Sequence, residues 1–423
     1  MDVGTASFVI FIAFMLAVLY LKRKEIEFQG VLALYKTTKL RSSIYKIGKD
    51  HKTFWKAYFS LGILVGVLIM ILGLAYISGT TIDLISGKST PAFGLVIPYP
   101  TSEISYESGL LKVPAWLWVL AIPFLLIPHE LSHGLALAAN KLKIKSLGLI
   151  SLLIIPGAFV EPDEEELKKA GKKEKLQVYC AGSFSNLVVG LVLVLFTHML
   201  LAGFYAPAGI TYSLPWTMLN TSEVVSNQTL ENGLVELRTQ NEIYLLTPAL
   251  LSAQENETLI AAYEDLPAAR NNLSGVIKSI GGFETNNPEE VRQALSTFSP
   301  GETVEIVTSS GTYTPTLADR NGTAYLGIQF NKPNTMVALI APQNVRPYEA
   351  KSEVAKPVLD FLLSLTNFII AVCIGVAIFN MLPMKPLDGG LVLEAITNSS
   401  IAKASTLLVL GLLLINFGAA IFA

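Results

Sequence analysis

The sequence contains little charge for its length. Only 15% of its 423 residues are charged, whereas 52% are hydrophobic and the mean hydropathy is +0.51. Water-soluble chains carry roughly 25% charged residues, so the composition excludes a single water-soluble globule. The excess of apolar residues needs an apolar environment, and a lipid bilayer is the expected one.

Cysteine and an excess of basic residues are lacking as well. The chain has 2 cysteines, Cys180 and Cys373, and both lie inside apolar runs. This excludes a disulfide framework and a zinc cluster built from cysteine. The net charge of −2 gives no overall positive field that would attract nucleic acid. We therefore expect no nucleic-acid partner.

Six apolar stretches are long enough to cross a bilayer, which takes roughly 17–25 residues. They cover approximately residues 6–21, 57–78, 115–138, 178–203, 358–382 and 404–423. Lysine and arginine are concentrated in the segments after the first and the third stretch, and the positive-inside rule places such segments in the cytoplasm. Counting spans from there puts both chain ends and the polar region 204–356 outside.

Two further apolar stretches, residues 91–100 and 146–160, are interrupted by proline and glycine. They are too short or too broken to be ordinary spans. Non-helical backbone at membrane depth is tolerated only where protein or a cavity covers it. The sequence leaves two interpretations open: re-entrant hairpins that line a site, or loops at the membrane surface.

Histidine is rare, and its placement points to a metal. Of the 4 histidines, two lie in the sequence His129-Glu130-Leu131-Ser132-His133 inside the third apolar stretch. Residues four apart share one face of a helix, so both imidazoles can bind one Zn²⁺, with Glu130 beside them as general base. Each ionisable group at bilayer depth costs roughly 2.5–3.5 kcal/mol. Three such groups without a partner would be hard to retain, which favours a functional site over an incidental match.

A catalytic zinc site usually has three protein ligands, and a carboxylate is expected to supply the third. Asp360 and Asp388 adjoin the later apolar stretches, at the outer and the inner end of the fifth one. Pro383 and Pro386 cannot continue a regular helix, so an unwound segment can turn Asp388 back towards the metal. We expect Asp388, and not Asp360, to be the ligand.

The fourth apolar stretch contains a polar amide, Asn186, and several small residues including Gly182. The amide is placed to hydrogen-bond a substrate strand or a developing oxyanion. The small residues are equally well explained by close packing of helices.

In these features the sequence resembles the site-2 protease family of intramembrane zinc metalloproteases. Three motifs occur in the family's order: His-Glu-x-x-His at 129–133, Gly-x-x-x-Asn at 182–186, and Asn-x-x-Pro…Leu-Asp-Gly at 380–389. The resemblance implies zinc as cofactor and a role for six residues. These are the zinc ligands His129, His133 and Asp388, the catalytic base Glu130, and Asn186 and Asn380 near the substrate. Ser183 stands where many members have proline, which leaves the loop geometry open.

The polar region is similar, over about residues 274–330, to the second half of a PDZ domain. A peptide-binding groove there would admit or exclude substrates by strand addition; the alternative is a structural module that binds nothing. Residues 205–272 have no assignment.

The sequence therefore predicts a polytopic α-helical membrane protein with about six spans, a possible re-entrant β-hairpin and an inserted extracytoplasmic α+β PDZ-like domain. Residues 1–113 are predicted to hold the first spans and a basic cytoplasmic loop. The protease core is predicted to comprise residues 114–203 and 357–423, interrupted by the outer domain 204–356.

The predicted function is intramembrane endopeptidase activity on transmembrane segments of other membrane proteins in the cell membrane. The partners are those substrates, the surrounding lipid and a peptide ligand of the PDZ-like domain. The active site is expected near the cytoplasmic side. Two alternatives are a transporter or metal-binding protein that uses the intramembrane His and Asp, and a catalytically silent scaffold.

Overall fold

A computed structural model describes residues 3–30, 32–87, 95–107, 110–152, 155–254, 257–330 and 335–422. The chain divides into two compact units. The membrane unit comprises Met1–Phe196 and Phe361–Ala423, and the polar unit comprises Thr197–Asp360.

The helices, in chain order, are α1 Val3–Leu21, α2 Arg41–Asp50, α3 Lys52–Ile85, α4 Ala115–Ala139, α5 Glu164–Lys169, α6 Lys172–Phe204, α7 Pro248–Ala253, α8 Pro267–Arg270, α9 Pro288–Leu295, α10 Thr335–Ile340, α11 Lys356–Asn380, α12 Asp388–Ile396 and α13 Ser399–Phe422. The strands are β1 Ile26–Gln29, β2 Leu32–Thr37, β3 Leu95–Tyr99, β4 Ser105–Glu107, β5 Leu110–Pro114, β6 Ile144–Leu152, β7 Ile155–Pro162, β8 Tyr205–Pro207, β9 Trp216–Asn220, β10 Ser226–Thr229, β11 Val235–Arg238, β12 Ile243–Leu246, β13 Leu259–Glu264, β14 Ile277–Ile280, β15 Phe283–Glu284, β16 Ile306–Thr308, β17 Gly311–Tyr313, β18 Ala318–Arg320, β19 Thr323–Tyr325 and β20 Tyr348–Ala350.

Within the described residues, six helices are long and apolar enough to cross a membrane, namely α1, α3, α4, α6, α11 and α13. They coincide with the six predicted stretches, and the expected polytopic helical membrane protein is confirmed. Large aliphatic side chains on them are exposed, for example Leu64, Leu195 and Leu407. A helix that presents such residues outward is suited to contact lipid.

A four-stranded sheet in the order β1-β2-β6-β7 belongs to the membrane unit. Apart from residues 153 and 154, which lie outside the described residues, the interrupted stretch 146–160 belongs to strands β6 and β7, whose antiparallel pairs include Leu147 with Val160. Whether the hairpin is re-entrant stays a prediction. β1 and β2 form a hairpin in what the sequence indicated only as a basic loop. The other interrupted stretch, 91–100, lies partly outside the described residues, and its last residues form β3, which pairs with β5.

Helix α4 packs on two sides, which fixes its position in the membrane unit. Towards its amino end, Leu117 and Ala121 pack with Phe368 and Ile369 of α11. Towards its carboxyl end, its residues join a second buried cluster. The side chains that α2, α3 and β6 contribute to this cluster are Ile44, Phe59, Ile144 and Leu147.

Helix α11 ends at Asn380, and α12 begins only at Asp388. The intervening residues 381–387 are non-helical, as Pro383 and Pro386 predict. This break places Asp388 at the first residue of a short helix.

The polar unit contains two main sheets. Residues 205–272, which had no assignment, contain a five-stranded antiparallel sheet in the order β10-β11-β12-β13-β9. Residues 274–330 contain the sheet β15-β14-β16-β17 and helix α9. The start of α9 is capped by Asn287, whose side chain accepts hydrogen bonds from the backbone N–H groups of Glu289 and Glu290.

Glu236 in β11 is a buried carboxylate held by two arginines. Its side chain is 2% exposed and accepts from Arg238 Nε at 2.7 Å and from Arg270 Nη2 at 3.2 Å. Arg270 ends α8, so these contacts tie the five-stranded sheet to that helix. The two arginines, Arg238 foremost, hold the pKa of the Glu236 carboxyl below its ordinary value.

We predict that Glu236→Gln destabilises the polar unit by about 1–3 kcal/mol, because a charge-assisted pair to a buried group is lost. Amide hydrogen exchange of β10–β13 in the full-length protein should become faster. Because the pKa is lower in the folded chain, the stabilisation is present above the unfolded value of about 4.3 and is lost as the pH falls through the folded value.

The exposed Glu257 provides the control, and Glu257→Gln should leave this exchange unchanged. Equal exchange rates in wild type and Glu236→Gln at neutral pH would contradict the role given to Glu236.

Candidate metal centre

His129 and His133 lie on one face of α4, with ring centroids 4.9 Å apart. Asp388 reaches them from the start of α12. Its Oδ2 lies 3.5 Å from His129 Nε2 and 3.6 Å from His133 Nε2. One ligand atom from each of the three side chains lies within 4.8 Å of the other two. In the described part of the chain, this is the one group of at least three His, Cys, Asp or Glu with such spacing.

The three side chains fit a zinc ion. They are 10%, 14% and 17% exposed, and Asp388 Oδ2 has no hydrogen-bond donor among the described residues. A buried carboxylate oxygen that faces only two imidazole nitrogens is costly without a cation. Two ligand atoms on one tetrahedral zinc lie about 3.3 Å apart, given metal–ligand distances of about 2.0–2.1 Å. Two histidines and a carboxylate are also a known ligand set of catalytic zinc.

The histidine ring nitrogens on the far side from Asp388 are held by α6. His133 Nδ1 lies 2.8 Å from the carbonyl oxygen of Val178. A ring N–H that donates to this oxygen leaves Nε2 free to bind a metal. The bond thus selects the tautomer that a metal site requires.

Asn186 lies against His129 in the same way. Nδ2 of its fully buried side-chain amide lies 3.2 Å from His129 Nδ1, and Asn186 Oδ1 has no partner within the described ranges. A half-turn of the amide group exchanges its nitrogen and oxygen and gives Oδ1 this partner; Nδ1–H would then donate to Asn186, and Nε2 would be left for the metal. The sequence had placed Asn186 near the substrate. The geometry gives it the further task of orienting His129.

Gly182 lies directly over the two histidines. A Cβ at this position would be 2.5 Å from Nε2 of both His129 and His133. No side chain can occupy that space without moving the rings. The sequence left Gly182 open to ordinary helix packing, and the structure shows that its small size leaves room for the candidate metal site.

Glu130, the next residue along α4, is half-buried. Strand β7 packs against α4, the helix that carries Glu130. Asn380 is half-buried at the last residue of α11 and makes no hydrogen bond to His129, His133 or Asp388 among the described contacts. The structure therefore brings His129, His133, Asp388 and Asn186 together. The roles given to Glu130 and Asn380 stay predictions.

Asp360, which was not expected to be a ligand, accepts a hydrogen bond of 2.9 Å from the Tyr205 hydroxyl. Both residues belong to the polar unit.

Sequence reasoning missed two polar networks around the centre. Ser132 Oγ and Ser185 Oγ lie 2.6 Å apart, and Tyr58 OH lies 3.1 Å from Ser185 Oγ. These hydroxyls connect α3, α4 and α6. The sequence feature that could have indicated this network is the presence of serine and tyrosine inside otherwise apolar helices.

The second network is centred on Gln177, which is 2% exposed. Its amide accepts from Asn140 Nδ2 at 2.8 Å and donates to the Lys56 carbonyl oxygen at 2.9 Å and to Ser60 Oγ at 2.8 Å. Gln177 precedes Val178, so this network fixes the part of α6 that contacts His133.

A family model, described as peptidase family M50, matches residues 117–415, which include the whole centre. The chain belongs to peptidase family M50. Together with the relatives below, this confirms the resemblance to site-2 proteases.

Two relatives of this M50 chain are similar to it over part of their length, and one of them is uncharacterized. An uncharacterized protein, MJ0971, of Methanocaldococcus jannaschii is 29% identical over 207 residues, 45% of this chain and 51% of that protein. A membrane-bound transcription factor site-2 protease homolog of Arabidopsis thaliana is 27% identical over 156 residues, 36% of this chain and 29% of that protein. The match thus spans about half of the first relative and less than a third of the second.

We predict that Gly182→Ala lowers zinc affinity by about 10–100-fold, the loss that accompanies disturbed support of metal ligands. The added methyl group would displace both imidazoles. Competition with a chromophoric chelator in detergent measures the affinity.

Gly203→Ala on the same helix is the matched control, because a Cβ there meets nothing within 4 Å. If Gly182→Ala bound zinc as tightly as Gly203→Ala, the metal would not lie between these two histidines.

Proposed function

We propose that the chain is an intramembrane zinc metalloendopeptidase that hydrolyses peptide bonds in transmembrane segments of other membrane proteins. The observation that carries this proposal is the convergence of His129, His133 and Asp388 beside Glu130, inside a unit with six potential spans. Membership of peptidase family M50 supports the same reaction. The Arabidopsis relative's description as a transcription factor site-2 protease homolog supports a role in regulated intramembrane proteolysis.

Each residue of the centre has a distinct part in this hydrolysis. When bound, a zinc ion polarises a carbonyl group and makes water easier to deprotonate. His129, His133 and Asp388 hold the ion, while Val178 and Asn186 orient the two rings. Glu130 takes the proton from the attacking water and gives it to the leaving amine.

The substrate must be extended before it is cut, because a helix hides its carbonyl groups in hydrogen bonds. β7 lies at the edge of its sheet, with no further strand beside it in the part of the chain that the structure describes. An edge strand pairs with an extended peptide by strand addition. β7 packs against α4, the helix that carries Glu130, so a peptide added here would pass near the general base. This favours the re-entrant interpretation of the β6–β7 hairpin.

An apolar cavity of about 540 Å³ lies between α1, the four-stranded sheet and α4. The residues that α4 contributes are Val119, Ile122, Pro123 and Leu126. Glu130 follows Leu126 by four residues and so continues the same helical face. The cavity supports a substrate with large apolar side chains next to the scissile bond, as in a transmembrane segment.

The polar unit is proposed to lie outside the cell and to act as a PDZ-like domain. Over the residues that carry the resemblance, the chain forms strands β14 and β15, helix α9 and strands β16 and β17 in that order. The basic segments between spans support this sidedness, which places the metal centre near the cytoplasmic face. A peptide bound by this domain would present or withhold substrates.

We predict that Glu130→Gln lowers cleavage of a model transmembrane substrate in liposomes by about 10²–10⁴-fold, because the general base is removed. Zinc binding should be retained, since Glu130 is not a ligand. Fragment yield over time and zinc content of the same preparation measure both effects. Glu164→Gln, at an exposed position of α5, should leave cleavage unchanged.

Cleavage that survives both Glu130→Gln and a zinc chelator would refute the metalloprotease. Tight zinc binding by a wild-type protein that cleaves none of a panel of transmembrane segments would favour the transporter or the scaffold.

A further inference from the structure

The segment that carries Asp388 is tied to α13 by its backbone. The backbone N–H of Lys385 donates to Thr406 Oγ1 at 3.0 Å, and Ser405 Oγ donates to the Pro383 carbonyl oxygen at 2.8 Å. Thr406 Oγ1 itself donates to the Ala402 carbonyl oxygen at 2.7 Å, which fixes the hydroxyl as the acceptor for Lys385. Two consecutive residues of α13 thus hold both sides of this non-helical turn.

The same segment is tied to α12 by an ion pair. Lys385 Nζ lies 2.5 Å from Glu394 Oε2, and the two side chains are 34% and 32% exposed. Lys385 lies in the turn before Asp388, and Glu394 lies after Asp388 on α12. The ion pair therefore connects the turn to the helix that begins with Asp388. Lys385 holds the pKa of Glu394 below its ordinary value.

Close packing transmits any shift of this segment to Asp388. A Cβ at Gly389 would overlap the carbonyl oxygen of Met381, and one at Gly390 would lie 2.5 Å from the backbone nitrogen of Lys385. The turn therefore lies directly on the first residues of α12. A helix of nine residues has little stability alone, so the placement of its first residue depends on such contacts.

We propose that Lys385, Glu394 and Thr406 are positioning residues that hold the Asp388 carboxylate at metal-binding distance from the two histidines. None of the three touches the ligand atoms. Metal ligands must be held within about 0.5 Å of the productive geometry by the residues behind them. His129 and His133 lie on a long packed helix, whereas Asp388 lies at the end of a turn, so the third ligand is the one that needs this support. The inference rests on the proposed metal centre.

The test measures metal binding by the full-length protein in nanodiscs, with Co²⁺ absorption and Zn²⁺ competition as readouts, beside cleavage. Lys385→Glu places like charges together and should weaken Zn²⁺ binding by about 10–100-fold. The double variant Lys385→Glu with Glu394→Lys restores the opposite charges and should recover most of the affinity. Thr406→Val should also weaken binding, and Thr406→Ser should not.

Lys168→Glu is the matched control, because Lys168 pairs with Glu164 on α5 at an exposed position away from the centre. If Lys385→Glu does not fold, Lys385→Met and Glu394→Gln replace it. Exposed ion pairs often contribute little to stability, and the Lys385–Glu394 pair would then have no effect on the metal site. Unchanged Zn²⁺ affinity in these variants and in Thr406→Val would overturn the proposal. Failure of the double variant to recover affinity would overturn it as well.

The wild-type protein separates this inference from the proposed function. If the wild-type protein binds Zn²⁺ and cleaves the substrate, and the variants bind Zn²⁺ equally well, only the positioning role is contradicted. Wild type that binds Zn²⁺ without cleaving refutes the protease while the positioning test still stands. Wild type that binds no Zn²⁺ overturns both.

Discussion

Placing an ionisable side chain in a helix surrounded by lipid costs free energy, and such groups usually pair with one another. His129, Glu130 and His133 impose this constraint on α4. Oδ2 of Asp388, from a distant part of the chain, faces both imidazoles and has no hydrogen-bond donor among the described residues. The break after α11 and the short helix α12 are the means by which that carboxylate reaches α4.

One face of α6 provides the complement to the two histidines. Val178, Gly182 and Asn186 are spaced four residues apart and so lie above one another. The first contacts His133 Nδ1, the second leaves space beside both Nε2 atoms, and the third contacts His129 Nδ1. The carbonyl group of Val178 and the amide of Asn186 thereby hold the two imidazole rings, and Gly182 leaves the space that the rings need.

The sequence predicted the parts of this arrangement that follow from local rules. The four-residue spacing of His129 and His133 follows from helix geometry, and the interruption before Asp388 follows from Pro383 and Pro386. The role of the Val178 carbonyl group could not be predicted from the sequence, because every residue has a backbone carbonyl group. The Lys385–Glu394 pair joins residues on either side of a turn whose path the sequence does not define. The five-stranded sheet escaped assignment because its strands are short and partly polar.

The most direct test is zinc K-edge X-ray absorption on the full-length protein loaded with one equivalent of Zn²⁺. We expect a first shell of nitrogen and oxygen at about 2.0–2.1 Å. Scattering from two imidazoles should be present, and substitution of His133 by Ala should reduce it to one. A sulfur ligand at about 2.3 Å, or Zn²⁺ that binds with the same shell after Asp388→Ala, would contradict a centre formed by His129, His133 and Asp388.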